Sequence, residues 1–330
     1  MNIIFLNELR SQGKINSNMI NVRSDFAFCQ YTNATHINFT DFISLENKYK
    51  KEIDNADFAI IVPAKTHPEF LEVAFRLRDL GIPFGVMQEG ANNYWEEWTP
   101  DHQFVFLAII QNLASVVLCH NEYDKAFFKG ITNKPVIVIP TGHHVKKIKQ
   151  LVIPDQEKKE IVFIGSTVAR WYNGMVSYLV ANQPQIKGIA FPTMGRIYEN
   201  EKETLEKLDK RIVYYPYMSW LDFMNLLSNY KYAVHLMPEV AAGTFSLNCA
   251  MLGIPCIGNK NIDTQRACFP DLSIDINDTK KAKELLKRLT DDKAFYTMVR
   301  EKALKNVDVF DIEKLKKIIL PQLEKVAIKK

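Results

Sequence analysis

The feature that most constrains this chain is a repeated alternation of short apolar runs with longer segments of helical periodicity. Ala56–Pro63 is a largely apolar run of the kind found in strands that are covered on both faces. Pro68–Leu80 then spaces its apolar residues as a helix does, and Gly81 and Pro83 end it. Strand–helix–strand order of this kind predicts a parallel sheet with helices on both faces.

The alternation continues towards both ends of the chain. In the first half, further strands are predicted at Asn2–Leu6, Asp25–Tyr31, Pro83–Met87, Ser115–Cys119 and Val136–Ile139, and helices at Pro100–Leu113 and Glu122–Phe128. In the second half, strands are predicted at Ile161–Ile164, Ile186–Ala190, Arg211–Tyr215, Tyr232–Met237, Pro255–Gly258 and Leu272–Asp275. The helices between them are predicted at Asn173–Ala181, Trp220–Ser228, Phe245–Leu252 and Lys280–Leu289. The sequence therefore predicts an α/β protein with two doubly wound, Rossmann-like domains.

A charged segment, Lys146–Glu160, separates the two series, and we interpret it as a linker. We accordingly expect a first domain over residues 1–150, a second over 151–308, and a C-terminal helix over 309–330 that returns to the first domain. A chain of 330 residues also exceeds what one hydrophobic core usually serves. The last helix has an apolar stripe along one face. We expect this stripe to pack on the first domain, and peripheral contact with a membrane is the alternative.

Composition limits the compartment and the partners. Hydrophobic residues make up 47% and charged residues 24%, as in ordinary globular proteins. The apolar runs are too short for an integral membrane segment, and the first residues do not resemble a signal peptide. Five cysteines without a C-x-x-C pattern argue against a disulfide framework. A net charge of +4 does not indicate a nucleic-acid coat. We expect a cytoplasmic protein, and any contact that it makes with a membrane is expected to be peripheral.

The sharpest local signal is the segment 238–258, PEVAAGTFSLNCAMLGIPCIG. A strand leads into a small-residue loop through Gly243, and a helix is predicted to open at Thr244–Ser246. A helix N-terminus presents free N–H groups and the positive end of the helix dipole, which suits a phosphate group. The hydroxyls of Thr244 and Ser246 can cap the helix or bind the same anion. A plain glycine-containing turn is the alternative interpretation.

This segment resembles the donor site of GT-B glycosyltransferases, especially the family-4-like group (glycosyl transferases group 1), whose helix leads into the pattern EAMACGxPVI. Gly253, Pro255 and Ile257 match that pattern. Asn248 stands where the family has a glutamate that binds the donor ribose, and an asparagine can also bond to a ribose hydroxyl. Glu239 precedes Asn248 by one residue more than the family's spacing.

The resemblance covers nearly the whole chain. Residues 114–145 look like the family's segment that closes the N-terminal domain, and residues 161–165 look like the strand that opens the donor domain. Residues 211–228 look like the segment whose loop cradles the nucleotide base, and residues 311–320 look like the late helix that folds back towards the first domain. It implies two domains facing across a cleft and a metal-independent hexosyl transfer from a nucleoside-diphosphate sugar to an acceptor hydroxyl. No cofactor beyond the nucleotide sugar is implied, and a UDP-sugar is favoured over a GDP-sugar. The acceptor can be a glycan, a lipid-linked molecule or a nucleic-acid base.

The resemblance also implies a set of donor-binding residues. They are Gly165, Ser166, Arg170, Arg196, Tyr217, Glu239, Gly243, Thr244, Phe245, Ser246 and Asn248. Arg170 is the preferred partner of the diphosphate, because arginine binds phosphate through two parallel hydrogen bonds, and Arg196 is the second candidate. The family places an arginine directly after the glycine and a lysine further on, where Ser166 and Asn173 stand here. A phage-type DNA glucosyltransferase, another GT-B enzyme, has a loop closer to this spacing.

In the first domain, the loop 88–98 combines carboxylates with aromatic residues at the carboxyl end of a predicted strand, where ligands of open α/β sheets bind. We expect Glu89 to be the base of an inverting transfer. The alternative is that Glu89 only orients a sugar hydroxyl and that the transfer is retaining. The expected acceptor-binding residues are Asn92, Tyr94, Trp95 and His143.

Other residues are given structural interpretations. Among the seven histidines, His143, His144 and His120 follow strands and fit packing or hinge roles, and His235 is expected to be a satisfied core histidine. Cys249 and Cys256 are expected to pack rather than react. No metal site is expected, Asp275–Asp278 being the nearest candidate. Two other functions stay open: a nucleotide-sugar epimerase of the same fold, and a non-catalytic GT-B-like protein that binds a nucleotide sugar.

Overall fold

The computed structural model describes residues 1–15, 24–44, 48–63, 69–88, 90–92, 98–167, 172–192 and 199–327. The chain divides into two compact units, the first comprising residues 1–143 with 312–330 and the second residues 144–311. Each unit is built on its own sheet. No helix in the described ranges is both long enough and apolar enough to cross a lipid bilayer.

The first unit contains a sheet of seven strands. They are β1 (Ile3–Asn7), β2 (Gly13–Lys14), β3 (Thr35–Asn38), β4 (Phe58–Ile61), β5 (Phe84–Met87), β6 (Val116–Cys119) and β7 (Val136–Val138). Their order is β2-β3-β1-β4-β5-β6-β7, and all pairs are parallel except β2 with β3. The helices that join these strands are α1 (Ser24–Thr32), α2 (Phe39–Ile43), α3 (Lys50–Asp54), α4 (Glu69–Asp79), α5 (Pro100–Ala108) and α6 (Glu122–Ile131).

The second unit contains an entirely parallel sheet of six strands. They are β8 (Lys159–Ile164), β9 (Ile189–Pro192), β10 (Ile212–Tyr215), β11 (Tyr230–His235), β12 (Cys256–Asn259) and β13 (Ser273–Ile274), in the order β10-β9-β8-β11-β12-β13. Its helices are α7 (Val145–Ile148), α8 (Gly174–Ala181), α9 (Glu199–Leu208), α10 (Trp220–Ser228), α11 (Thr244–Met251), α12 (Asp263–Cys268), α13 (Thr279–Asp291) and α14 (Lys293–Asn306). The strand order is that of a doubly wound sheet, which reverses its direction of growth between β8 and β11.

The last helix, α15 (Ile312–Ala327), belongs to the first unit. Its buried residues follow helical spacing and join the apolar cluster that includes Phe5, Tyr31 and Leu118. The stripe comprises Ile312, Leu315, Ile319, Leu323 and Val326. The apolar face of α15 is thus occupied by the core of this unit.

Several sequence-based predictions of local structure are wrong. Asp25–Tyr31 is not a strand but lies within α1, because its mixture of aromatic, small and polar residues follows neither the two-residue period of a strand nor the 3.6-residue period of a helix. The segment Lys146–Glu160, interpreted from the sequence as a linker, belongs to the second unit and contains regular structure. Val145 and Ile148 bury one side of α7, 149–151 and 155–157 form short 3-10 turns, and β8 starts at Lys159.

Other predictions differ from the structure in their bounds or missed an element. The helix predicted over Pro100–Leu113 is α-helical only to Ala108 and π-helical over Ile109–Leu113. The strand predicted at Ile186–Ala190 is Ile189–Pro192. The elements that the sequence pattern did not reveal are β2, β3, α2, α3, α7, α9, α12 and α14.

A buried lysine holds the carboxyl end of α11. The ammonium group of Lys158 donates to the carbonyls of Leu252 and Gly253, at 3.1 and 3.3 Å, and lies 3.8 Å from the carboxylate of Asp155. Carbonyls at a helix C-terminus attract a cation. Burial nevertheless lowers the pKa of Lys158 to about 8, with Asp155 opposing the decrease.

This pKa predicts a specific dependence of stability on pH. The unfolded chain holds the proton of Lys158 up to about pH 10.4, so between about pH 8 and 10 it binds more protons than the folded chain. The free energy of unfolding should therefore rise with pH in that window, by at most about 1.4 kcal/mol per pH unit. Urea denaturation at about pH 8, 9 and 10 measures this slope. Lys158→Met should lack this contribution, and Lys159→Met, at an exposed neighbour, should keep it. Equal slopes in the two variants would contradict the assignment.

Candidate functional site

The reversal of the second sheet lies between β8 and β11, and ligands of doubly wound sheets bind outside the carboxyl ends of the strands at such a point. Ile164 is paired with Val234, and the N–H of Gly165 donates to the carbonyl of Val234 at 3.0 Å. Gly165 therefore lies beside His235, the last residue of β11. The loops after the two strands frame the candidate site.

These two loops are joined by hydrogen bonds at the start of α8. The side-chain amide of Asn173 donates to the carbonyl of Leu236 at 3.0 Å, and the N–H of Leu236 donates to the hydroxyl of Ser177 at 3.0 Å. The hydroxyl of Ser166 is fully buried and donates to the carbonyl of Tyr172 at 3.0 Å. Ser166, predicted as a donor-binding residue, thus fixes its own loop through its hydroxyl.

Gly243 immediately precedes α11, and no other residue fits its place. Its φ is +67°, in the left-handed region. A Cβ atom there would lie 1.9 Å from Oγ1 of Thr264 and 2.6 Å from Cγ2 of Ile262. The carbonyl of Gly243 accepts the hydroxyls of Thr264 (2.7 Å) and Ser246 (3.0 Å), which lie 2.7 Å from each other. This cluster fixes the position at which α11 begins.

The N-terminus of α11 offers free donors. The first intrahelical bond runs from the N–H of Leu247 to the carbonyl of Gly243, so the N–H groups of Thr244, Phe245 and Ser246 precede it. Among the described residues, no side chain caps this helix. The Ser246 hydroxyl donates to the Gly243 carbonyl, which leaves the backbone N–H groups and the Thr244 hydroxyl as the donors that this turn presents.

Gly165, His235 and Phe245 pack directly against one another. A Cβ atom on Gly165 would lie 2.5 Å from Cδ1 of Phe245 and 2.7 Å from Cγ of His235. The rings of His235 and Phe245 meet edge to face, with centroids 5.1 Å apart. Burial lowers the pKa of His235 to about 4, so its imidazole is neutral near pH 7.

The prediction that His235 is a satisfied core histidine is wrong in one respect. The residue is buried, but its Nε2 has no hydrogen-bond partner in the part of the chain that the structure describes. The sequence could not reveal this, because the neighbours of His235 come from β8 and α11. A second buried atom without a partner among the described residues is Oδ1 of Asn248, which lies one turn after Thr244 on α11.

The remaining predicted donor-site residues are less central or outside the described ranges. Glu239 is half-buried in the loop between β11 and α11. Tyr217 is 63% exposed and follows β10, which is the outermost strand of the sheet and lies two places from β8. The structure therefore does not bring Tyr217 to the carboxyl ends of β8 and β11. Arg170 and Arg196 lie outside the described residues.

Comparison with known proteins identifies the fold. No family model and no curated protein matches the sequence. The structure is similar to an alpha-glucosyltransferase in complex with UDP and a 13-mer DNA containing a HMU base, with a TM-score of 0.67, 13% identity and 99% of both chains covered. It is also similar to trehalose 6-phosphate synthase from Burkholderia multivorans, with a TM-score of 0.70, 10% identity, and 99% of this chain and 97% of that chain covered. For sucrose-phosphate synthase from Thermosynechococcus elongatus the TM-score is 0.66, the identity 14%, and the coverage 98% of both chains.

These similar structures are GT-B glycosyltransferases. The chain has the GT-B fold. The fold predicted from the sequence is therefore confirmed, including the two Rossmann-like sheets.

In the first unit of this GT-B fold, the described residues place two of the predicted acceptor-site positions. Asn92 is half-buried, and its N–H donates to the buried carboxylate of Asp124 at 3.3 Å. His143 is 3% exposed, and its carbonyl accepts the N–H of Ile312 at 3.0 Å. Glu89, Tyr94 and Trp95 lie outside the described residues, so their predicted roles remain predictions.

The acidic turn that was the nearest candidate for a metal site has local structural partners. Asp275 accepts the N–H of Asn277 and lies 3.3 Å from the ammonium of Lys260, and Asp278 caps α13 by accepting the N–H of Lys281. Within the described ranges, no three potential metal-ligating side chains cluster. All five cysteines are free and buried, and burial raises the pKa of Cys249 well above its usual value, which disfavours a thiolate nucleophile.

The geometry at Gly243 predicts a large cost of substitution. Gly243→Ala should lower the free energy of unfolding by roughly 2–4 kcal/mol, because the new methyl group combines left-handed strain with a clash against Thr264. Gly253→Ala is the matched control, since Gly253 also has a positive φ (+60°) but its Cβ would meet Leu304 only at 3.1 Å. The control should lose about 1–2 kcal/mol. Urea denaturation measures both values, and equal losses would rule out the clash.

Proposed function

We propose that this protein is a glycosyltransferase that moves a hexosyl group from a nucleoside-diphosphate sugar to an acceptor hydroxyl. The observation that carries the proposal lies at the carboxyl ends of β8 and β11. There the first N–H groups of α11, which no described side chain caps, lie next to Gly165, His235 and Phe245, and these three residues pack against one another. The GT-B fold supports the class of reaction. The five free, buried cysteines support a reducing compartment, and we propose the cytoplasm.

The N-terminus of α11 is proposed to bind the diphosphate. Three backbone N–H groups and the positive end of a helix dipole stabilise negative charge without a metal ion. Gly243 sets where these groups lie, since its carbonyl is held by Thr264 and Ser246. Arg170, on the loop after β8, is proposed to add a charge-assisted pair of hydrogen bonds to the same phosphates, with Arg196 as a further cation.

Buried, unpartnered atoms are proposed to hold the neutral parts of the donor. Oδ1 of Asn248 is an acceptor fixed on α11, and a ribose hydroxyl is a suitable donor for it. His235 is neutral near pH 7 because burial lowers its pKa to about 4, so it contributes a hydrogen bond rather than a charge. The absence of a side chain at Gly165 leaves room for the rings of Phe245 and His235 beside the start of α11.

The donor nucleotide is proposed to be UDP. One similar structure, the alpha-glucosyltransferase, contains UDP, and another structure of an alpha-glucosyltransferase contains UDP-glucose. Both structures also contain DNA, which supports testing a nucleic-acid base among the acceptors, beside glycans and lipid-linked molecules.

In the first unit, Glu89 is proposed to be the catalytic base, and Asn92, Tyr94, Trp95 and His143 to contact the acceptor. An acceptor hydroxyl is a poor nucleophile at neutral pH, and removing its proton in the transition state typically contributes 10²–10⁴-fold. The bond between Asn92 and the buried Asp124 supports a fixed position for Asn92 itself, three residues after Glu89 in the sequence. This assignment requires inversion at the anomeric carbon.

The proposed donor site predicts that the affinity for UDP depends strongly on Arg170. Purified protein should bind UDP more tightly than GDP in calorimetric titration. Arg170→Ala should weaken UDP binding by about 1.5–3 kcal/mol, because a charge-assisted pair is lost. Arg288→Ala, which removes a largely exposed arginine on α13, is the control and should bind UDP normally. Unchanged affinity in Arg170→Ala would remove Arg170 from the site, and preference for GDP would overturn the choice of nucleotide.

The catalytic assignment predicts a loss of turnover without a loss of donor binding. Glu89→Gln keeps the shape of the side chain but removes the base, so turnover should fall roughly 10²–10⁴-fold while UDP affinity stays nearly constant. Glu72→Gln, at an exposed position on α4, should behave like the unmodified protein. A retained anomeric configuration in the product, or normal turnover in Glu89→Gln, would show that Glu89 is not the base.

The same assays separate the alternative functions. Slow hydrolysis of UDP-glucose, followed by release of UDP, is expected of a transferase without its acceptor. Conversion of UDP-glucose into an epimer with the nucleotide still attached would identify an epimerase. UDP binding with neither reaction, across the acceptor classes named above, would identify a non-catalytic binding protein.

A further inference from the structure

The loop between β11 and α11, residues 236–243, is held near both ends by side chains from outside it. Near its start, Nδ2 of Asn259 donates to the carbonyl of Met237 at 3.0 Å. At its end, the hydroxyl of Thr264 donates to the carbonyl of Gly243 at 2.7 Å. Asn259 is the last residue of β12, Thr264 lies in the first turn of α12, and each is 2% exposed. Two buried side chains of neighbouring elements therefore fix this loop.

The orientation of the Asn259 amide is determined by its other partner. Oδ1 of Asn259 accepts the N–H of Asn261 at 2.9 Å, and an N–H group cannot accept in return. Nδ2 is therefore the end of the amide that faces the β11–α11 loop, where it also reaches the carbonyl of Pro238 at 3.4 Å. The amide is bound on both sides, so its donor has one position.

Two glycines allow α12 to lie close to this loop. A Cβ atom on Gly258, in β12, would lie 2.7 Å from Cδ of Gln265, the residue after Thr264. A side chain there would push α12 away from β12, and a side chain at Gly243 would push the loop away from α12. The hydroxyl of Thr264 reaches the carbonyl of Gly243 because neither position has a side chain.

The bond from Thr264 to Gly243 also orients a donor of α11. The carbonyl of Gly243 and the N–H of Thr244 belong to one peptide group, which is planar, and in a trans peptide these two groups point in opposite directions. A carbonyl that is held towards α12 therefore directs the N–H of Thr244 away from α12. The hydroxyl of Ser246, 3% exposed, lies 2.7 Å from that of Thr264 and donates to the same carbonyl.

Buried polar atoms at this end of α11 indicate that a ligand binds there. His235 packs edge to face against Phe245, in the first turn of α11, and its Nε2 has no hydrogen-bond partner within the described ranges. Oδ1 of Asn248, 4% exposed, also has none among those residues. A buried polar atom of this kind costs free energy until something bonds to it. The N–H groups that the loop orients thus lie beside groups whose bonding capacity is unused.

We propose that Asn259 and Thr264 are positioning residues for the diphosphate of the donor, and that they orient the first N–H groups of α11 before the ligand binds. The inference rests on the proposed function, which assigns a diphosphate to this end of α11. Both side chains act through the backbone, because their donors are engaged by carbonyls of the β11–α11 loop. Donors that are already ordered bind an anion more tightly, since the ligand does not have to order them.

Thr264→Val and Asn259→Asp test the two contacts in the full chain. Thr264→Val removes the hydroxyl, and Asn259→Asp removes the donor to the loop but keeps an acceptor for Asn261. Each substitution should weaken UDP binding in calorimetric titration by about fivefold or more, the effect of one lost hydrogen bond. The affinity for uridine, measured by its competition with UDP, should stay nearly constant, because uridine has no diphosphate.

Two further variants separate positioning from general stability. Thr264→Ser keeps the hydroxyl and should bind UDP nearly as tightly as the unmodified protein. Asn306→Asp is matched to Asn259→Asp, since Nδ2 of Asn306 also donates to a backbone carbonyl, that of Ala267 at 2.8 Å, but this carbonyl lies towards the other end of α12 and outside the loop. Asn306→Asp should lower the melting temperature and leave both affinities unchanged.

The outcomes distinguish this proposal from the function on which it rests. Full UDP affinity in either Thr264→Val or Asn259→Asp removes that residue from the assignment, and full affinity in both overturns the proposal while the proposed function stands. An equal loss of UDP affinity in Asn306→Asp, or a loss of uridine affinity as large as that of UDP, would make the two contacts merely structural. Absence of UDP binding by the unmodified protein would reject the proposed function, and the positioning role with it.

Discussion

The candidate donor site depends on the parallel pairing of β8 with β11. These strands are neighbours in space although β9 and β10 come between them in sequence, and the loops that leave their carboxyl ends run to opposite sides. The pairing places Gly165 beside His235. Because Gly165 has no side chain, the ring of Phe245, at the start of α11, can pack against both residues. A side chain at Gly165 would separate these residues, so the strand register and the helix position constrain each other.

The start of α11 presents one kind of hydrogen-bonding surface. It offers backbone donors, fixed by the Gly243, Ser246 and Thr264 cluster, and donors suit a negatively charged group. Thr264 belongs to another helix, so the orientation of these donors is set by a residue that is distant from them in the sequence.

The sequence was sufficient for the fold and for the glycine turn that leads into α11, because both depend on local patterns. The buried strands, the glycine before α11 and the hydroxyl residues after it are all visible in the sequence. The use of Ser246 was not, since its partner Thr264 lies on another helix. The unpartnered Nε2 of His235 and Nδ1 of His120 were also unpredictable, because a sequence does not reveal which side chains surround a strand end. The prediction for the α1 segment failed for a different reason, since its residues show no clear apolar period on which to base a choice between strand and helix.

The C-terminal helix makes the whole second unit an insertion in the first. The chain leaves the first unit at His143 and re-enters it at Ile312, whose N–H donates to the carbonyl of His143 at 3.0 Å. During synthesis the second unit emerges complete and can fold at once, whereas the first unit must wait for α15, whose residues complete its apolar cluster. The hydrogen bond between His143 and Ile312 closes a loop that contains an entire domain, so the early part of the chain should remain open to chaperones until α15 has left the ribosome.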